Sequence, residues 1–485
     1  MNICFVTSEC LPFAKTGGLA DVSAALPSAL AEKGHAVKLF MPLYDSVRVL
    51  DHGFIEATEL RDTSILMGSD PVSICVWYGR LPGSEVEVYL IDCPHYYHRG
   101  QLYTNHTDES ERFILLQHAA FIIMQRFAFS PDIIHCNDWQ TALMPAMLKY
   151  HYNWDRLFST AKSVLSIHNL AYQGKSNPDL APKAGLPREM ADPGGLFEYG
   201  GAFSFLKTGI MTADRLSTVS PTYAKEIQTG TFGEGLDDVL RKRSECLNGI
   251  LNGIDVDVWN PATDPYLPFH FDAQHLSGKA QNKRKLCDEL GLSVPKNEPL
   301  IGIVSRFATQ KGFELLLPIF EDLIHHSPLR FAILGSGDPH IEHFFEQIHE
   351  RFPTRVAMYR GYNEGLAHCI EASSDLFLMP SFYEPCGLNQ MYSLRYGTVP
   401  VVHKTGGLAD TVIDADEFPG LGNGFSFWDA SPHVLKDTLL RAVERYEQPK
   451  EWAEIQQRGM NVDFSWSASV EKYEELYRAA MNESC

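Results

Sequence analysis

The chain has 485 residues, too many for one ordinary core and enough for two domains. Hydrophobic residues at 45% and charged residues at 21% describe an ordinary globular protein with ample core material. The net charge of -20, from 41 basic against 61 acidic side chains, argues against a nonspecific nucleic-acid or membrane-surface binder, whose affinity would rest on clustered Lys and Arg; any anionic ligand must be met by local cations.

Short β-rich apolar runs alternate with amphipathic stretches, the pattern of doubly wound parallel sheets. In the first half the runs 3–7, 37–41, 86–91, 133–136, 164–167 and 216–219 are predicted strands. Leu19, Val22, Leu26 and Leu30 share one face of a predicted helix in which Pro27 is an irregularity. Asn-Pro and Asp-Pro turn signals between 252 and 268 reset the pattern and place the domain junction, giving an N-terminal domain over 1–255. The second half repeats the alternation with strands at 300–305, 330–334, 356–359, 376–379 and 399–402. The expected fold class is α/β, with two Rossmann-like domains facing a deep cleft. In open parallel sheets, ligands gather past the carboxyl ends of the strands.

The heptamer Lys-Thr-Gly-Gly-Leu-Ala-Asp occurs twice, at 15–21 and 404–410, each time after an apolar run and before a helix-like stretch. Paired glycines let backbone N–H groups approach an anion, and a helix N-terminus adds a positive dipole end, so the repeat reads as two phosphate-handling turns or as two similar strand-to-helix connections. Polar groups cluster at the other strand exits: Glu9, Asn137-Asp138-Trp139 and His168-Asn169 in the first half, and Arg306, Lys311 and Glu384 in the second. An Arg that grips oxygens bidentately beside a Lys point charge suits a diphosphate. Glu9 and Asp138 are equally readable as helix N-caps, and His168 as a satisfied core histidine. Cys386 could be a nucleophile or a small packed group, and Trp139 a core residue rather than a stacking platform. Ten cysteines, Cys4, Cys10, Cys75, Cys93, Cys136, Cys246, Cys287, Cys369, Cys386 and Cys485, lack close pairing and read as reduced thiols of a cytosolic protein. His95 with His98 and His325 with His326 lack partners at ligand spacing, so no metal is expected. Neither a signal peptide nor a membrane-spanning run is visible.

Seven motifs in order resemble bacterial glycogen synthase and plant starch synthase: the first heptamer, Asn137-Asp138-Trp139, Ile167-His168-Asn169-Leu170, Leu251-Asn252-Gly253-Ile254-Asp255, Ser305-Arg306-Phe307 with Gln310-Lys311-Gly312, Glu384-Pro385-Cys386-Gly387-Leu388, and the second heptamer. The resemblance implies the GT-B architecture, a second domain over 256–463 and a final helix within 464–485 crossing back to the first. It implies a retaining transfer of glucose from ADP-glucose, or UDP-glucose, to the non-reducing end of an α-1,4-glucan such as glycogen, without metal or cofactor. Lys15, Gly17, Gly18 and Asp21 would form the donor loop, and Arg306 and Lys311 would bind the diphosphate. The Cys386, Gly387, Leu388 and Asn389 backbone would cap the distal phosphate, and Tyr362 would stack on the nucleobase. Glu9, Tyr97, Asp138, Trp139, His168, Asn169, Asn252 and Glu384 would surround the sugar and acceptor, with Asp138, His168, Glu384, Arg306 and Lys311 as the catalytic set. The second heptamer would be mainly structural.

Departures from the pattern are local. Phe382-Tyr383 stands where Arg-Phe is frequent, removing a cation beside Glu384, and Tyr392 stands where the broader superfamily often has a second glutamate. An oxidoreductase would explain the glycine turns, but no strand is followed by Gly-x-Gly-x-x-Gly with an acidic residue about 20 positions on. A noncatalytic glucan-binding protein would have no need of Lys15, Arg306 and Lys311 together.

Overall fold

The computed structural model describes residues 1–293 and 298–482. The chain divides into two compact units: Met1–Gly253 with the last helix, and Ile254–Ser465. The first unit is built on a sheet whose parallel part runs, in spatial order, Leu247–Gly249, Arg215–Thr218, Lys162–Ile167, Ile133–Asn137, Asn2–Val6, Ala36–Pro42 and Glu87–Asp92. These strands are nearly all buried because helices cover both faces, which is why they read as continuous apolar runs. The chain winds outward from Asn2–Val6 in one direction, then returns to its other side at Ile133–Asn137. The crevice beyond these two strands is the switch point where such sheets hold ligands. An antiparallel edge completes the sheet: Asp70–Arg80 pairs with Glu87–Asp92, and Ile55–Glu56 and Thr63–Met67 pair with Asp70–Arg80.

Helix Gly18–Glu32 follows the first strand and buries Leu19, Val22, Leu26 and Leu30, the face expected from sequence; Pro27 lies inside it without ending it. The final helix, Trp466–Asn482, buries Trp466, Val470, Tyr473, Tyr477 and Ala480, a helical stripe. It packs within the first unit, where Tyr477 Oη lies 2.7 Å from His135 Nδ1 and the other ring nitrogen lies 2.6 Å from Ser166 Oγ. Burial drives the His135 pKa down to about 3, so the ring is neutral and shares its single proton within this network.

The second unit holds a six-stranded, wholly parallel sheet in the order Val356–Arg360, Arg330–Gly337, Leu300–Phe307, Leu376–Met379, Val399–His403, Phe425–Phe427. Its switch point lies between Leu300–Phe307 and Leu376–Met379. One face is packed by Phe313, Phe320, Phe331 and Phe345, with the Phe320 and Phe331 centroids 4.5 Å apart. Each such side chain contributes about 1.5–3 kcal/mol on burial. Eight cysteines are free thiols. Cys246 is disulfide-bonded, which corrects the expectation of reduced thiols at that position; Cys485 lies outside the described residues. No helix among the described residues is long and apolar enough to cross a membrane.

Near the start of the second unit, the Trp259 ring is sandwiched between His368 and Tyr392, each centroid 3.8 Å away. Asp264 accepts from Tyr396 Oη at 2.6 Å and lies 2.7 Å from His368 Nδ1. Burial alone would lower the imidazole pKa, but the Asp264 hydrogen bond and charge outweigh it and His368 is pushed up to about 9. A raised imidazole gives stability that is complete below its ordinary pKa of about 6.5 and is lost as pH climbs through the folded value. His368→Gln should therefore lower Tm clearly at about pH 6, and calorimetry should show the deficit shrinking as pH passes about 9.

Candidate active site

At the switch point of the first unit, the buried Glu9 carboxylate accepts from Thr16 N at 2.5 Å, Thr16 Oγ1 at 2.7 Å, Gly17 N at 3.2 Å and Tyr103 Oη at 2.6 Å. Glu9 is thus a remote cap for the entry to helix Gly18–Glu32, since Gly17 has no side chain to cap it. The loop it holds exposes Lys15, Thr16 and Gly18 to solvent. Lys15 Nζ pairs with Asp21 at 2.9 Å, so the two charged ends of the heptamer close on each other.

Asp138 does not cap the turn that follows it. Its backbone has φ 55° and ψ -172°, a sparsely populated region for a residue with a side chain, and its carboxylate accepts from His168 N at 2.7 Å and Asn169 N at 3.3 Å. Burial raises its carboxyl to about 7 against those two hydrogen bonds. Asn137 joins the same group: its Nδ2 donates to Val6 O at 3.0 Å, so its Oδ1 is an acceptor and the proton of His168 sits on Nε2, 3.0 Å away. Burial holds His168 down at about 4, making it a neutral imidazole with Nδ1 left over. Half-buried Trp139 packs edge-on against Phe113 at 5.1 Å and Phe205 at 5.9 Å. Asn169 Oδ1 accepts from Ala171 N at 3.1 Å, and Asn252 keeps a buried amide oxygen without a hydrogen-bond partner.

Tyr97 needs correction as a sugar contact. It is fully buried, and its hydroxyl donates to Arg112 O at 2.7 Å, so it has no surface to offer a ligand. Tyr103, not singled out from sequence, is the tyrosine that reaches Glu9. Neither Tyr103 nor Asn137 is marked by spacing alone; Asn137 carried a signal only as the first member of the Asn-Asp-Trp motif.

In the second unit a cavity of about 150 Å³ opens at the switch point, walled by Ser305, Arg306, Lys311, Ser381, Glu384, Gly387, Leu388 and Asn389. Lys311 Nζ lies 2.7 Å from Glu384 Oε2, which also accepts from Ser381 Oγ at 3.0 Å. Lys311 therefore stands as the cation beside Glu384 that Phe382-Tyr383 does not supply. Its position is set by backbone contact: Gly312 has φ +67°, and a Cβ there would fall 2.0 Å from Pro380 O. Arg306 is exposed on the cavity wall with no ion-pair partner among the described residues. Gln390 Nε2 donates to the Cys386 and Gly387 carbonyls at 3.1 and 2.9 Å, and Asn389 Nδ2 to Val304 O at 2.8 Å, which fixes that wall. Cys386 is buried in it. Tyr362 stands apart from the cavity lining, 70% exposed.

The second heptamer braces the same wall. Gly407 N lies 3.0 Å from Glu384 O, and a Cβ on Gly407 would fall 1.9 Å from Cys386 O. The glycine doublet thus permits backbone to touch backbone beneath Glu384. Among the described residues no group of three or more His, Cys, Asp and Glu is placed to hold a metal ion.

Asp138 gives a stability test with a definite sign. A carboxyl whose folded pKa is raised costs stability as pH rises from its ordinary range through about 7. Asp138→Asn removes that cost, so the Tm of the variant relative to the unsubstituted chain should rise between about pH 4 and about pH 7 in thermal melts and level off above. A difference that stays flat over this range would contradict the raised carboxyl.

Residues 2–242 match the family described as starch synthase catalytic domain, and residues 291–459 match glycosyl transferases group 1. The glycogen synthase of Rhodopirellula baltica is 42% identical over 98% of this chain and 97% of its own length, and that of Anaeromyxobacter dehalogenans is 44% identical over 99% of both. Among solved structures, the catalytic domain of starch synthase IV from Arabidopsis thaliana, bound to ADP and acarbose, gives a TM-score of 0.91 at 35% identity over 99% of each chain. The likeness to these full-length relatives extends over both units. The chain accordingly belongs to the glycogen and starch synthase family, and is a glucosyltransferase of GT-B fold.

Proposed function

We propose that the enzyme transfers glucose from ADP-glucose to the non-reducing end of an α-1,4-glucan, glycogen, with retention of configuration and release of ADP, in the cytoplasm and without a metal or cofactor. Membership of an enzyme family removes the noncatalytic glucan-binding reading. The observation that carries the proposal is the cavity in the second unit, where Arg306, without an ion-pair partner among the described residues, stands beside the Lys311–Glu384 pair. The ADP bound by the Arabidopsis relative supports the choice of nucleotide.

In this reading the C1–O bond to the diphosphate breaks, a bond from C1 to the acceptor O4 forms, and the acceptor hydroxyl loses its proton. Negative charge builds on the departing diphosphate, and fixed cations there act in the step where charge develops. Arg306 and Lys311 take that part, with the Gly387, Leu388 and Asn389 wall around the distal phosphate. Tyr362 takes the nucleobase. Lys15, Gly17, Gly18 and Asp21 form the donor loop of the first unit, held in place by Glu9. Neutral His168, Asn169, Asn252, Trp139 and Glu384 position sugar and acceptor hydroxyls, and Asp138, with its carboxyl near neutrality, is suited to accept a proton at working pH.

Label transfer from ADP-glucose and from UDP-glucose into added glycogen tests the reaction and the donor together. Incorporation should be faster from ADP-glucose; a preference for UDP-glucose would overturn the donor, and no incorporation from either would overturn the reaction. Lys311→Ala should lower kcat by about 10² to 10³, the scale seen when one fixed donor to a developing anion is removed.

A further inference from the structure

Lys404 opens the second heptamer but takes no part in the cavity wall that its glycines brace. It leaves the strand Val399–His403 beside Phe425–Phe427, and Lys404 N donates to Phe427 O at 2.8 Å. Trp428 leaves the neighbouring strand at the same end. The Lys404 ammonium lies 4.5 Å from the centroid of the Trp428 ring and pairs with Glu417 at 3.0 Å. A cation over one face holds the ring in place. Yet Trp428 is 68% exposed, so its other face and edges are open to solvent.

The ring is also tied to the cavity. His403 Nε2 lies 3.2 Å from Trp428 O while Nδ1 lies 2.7 Å from Ser381 O, and Ser381 Oγ donates to Glu384. One imidazole thus joins the backbone under the exposed indole to the residue that supports Glu384. The strand Phe425–Phe427 is two places from Leu376–Met379 in the sheet, or about 10 Å. An anchored aromatic ring, open on one side and flanked by the Lys404–Glu417 pair, suits a partner that presents C–H faces and hydroxyls together. The chain's net charge of -20 does not favour a polyanion, whereas an α-glucan is a neutral polymer with that chemistry.

We propose that Trp428, held by Lys404, is a stacking platform for a glucosyl ring of an α-glucan chain on the second unit. The inference rests on the glucan synthase reading for the identity of its ligand. It is tested by electrophoresis of the full chain through native gels containing glycogen, without donor, alongside kinetics with glycogen and with a short maltooligosaccharide. Trp428→Ala should migrate faster than the unsubstituted chain in glycogen gels and show a glycogen KM raised about 3- to 10-fold, with turnover of the short acceptor and Tm unchanged. Trp428→Phe, which keeps a ring, should recover part of the retardation. Equal retardation of Trp428→Ala and the unsubstituted chain would overturn the platform. Because retardation needs no turnover, a chain inactive with both donors but slowed by glycogen through Trp428 would defeat the synthase reading and leave the platform standing.

Discussion

The buried Glu9 carboxylate and its donors hold the loop at the switch point of the first unit. A carboxylate that is 3% exposed is tolerated only when hydrogen bonds replace its water, and Thr16, Gly17 and Tyr103 provide them. This sets the path of the heptamer and the start of helix Gly18–Glu32. It also changes what the glycines do. The N–H groups of Thr16 and Gly17 already serve an internal anion, so an external phosphate would find the Lys15 ammonium and the helix start, not an empty backbone cradle.

The second copy of the heptamer solves a different problem with the same residues. Its doublet lies under Glu384 and Cys386, where hydrogen in place of Cβ allows the carbonyl of Cys386 to approach. Its lysine turns to Glu417 and Trp428, whereas Lys15 turns to Asp21. Identical sequence therefore gives one loop held by a distant carboxylate and one brace for a neighbouring loop. The determinant is the tertiary partner, Glu9 in one unit and the Glu384 segment in the other.

This explains what could be read in the sequence. The parallel strands were legible because both faces are buried and their apolar runs are unbroken, as at Ile133–Asn137 and Leu376–Met379. The antiparallel strand Asp70–Arg80 was not, since its burial is patchy and polar residues interrupt it; Phe425–Phe427 is too short to announce itself. Arg306, Lys311 and Glu384 are separated in sequence, yet Arg306 lies in the last residues of one strand at the switch point, Lys311 just beyond it and Glu384 beyond the neighbouring strand, so topology gathers them. Tyr97 and Tyr103 could not be told apart by spacing. Which tyrosine reaches Glu9 depends on packing around Arg112, which absorbs the hydroxyl of the wrong one.

Electrostatics separates the two cations that line the cavity of the second unit. Lys311 is engaged by Glu384, and a unit-charge contact at about 4 Å is worth about 4 kcal/mol at an effective dielectric of about 20 before desolvation. A diphosphate carries more charge than one carboxylate, so it can draw the ammonium away while Ser381 continues to satisfy Glu384. Arg306 faces no such exchange. In the proposed reaction the Arg306 guanidinium, without an ion-pair partner among the described residues, would meet the diphosphate without breaking another contact, and Lys311 would follow at the cost of its pairing, a cost recovered as charge accumulates on the departing diphosphate. On that proposal the ion pair would hold Glu384 neutralised until a substrate with greater negative charge arrives, and would then release its carboxylate.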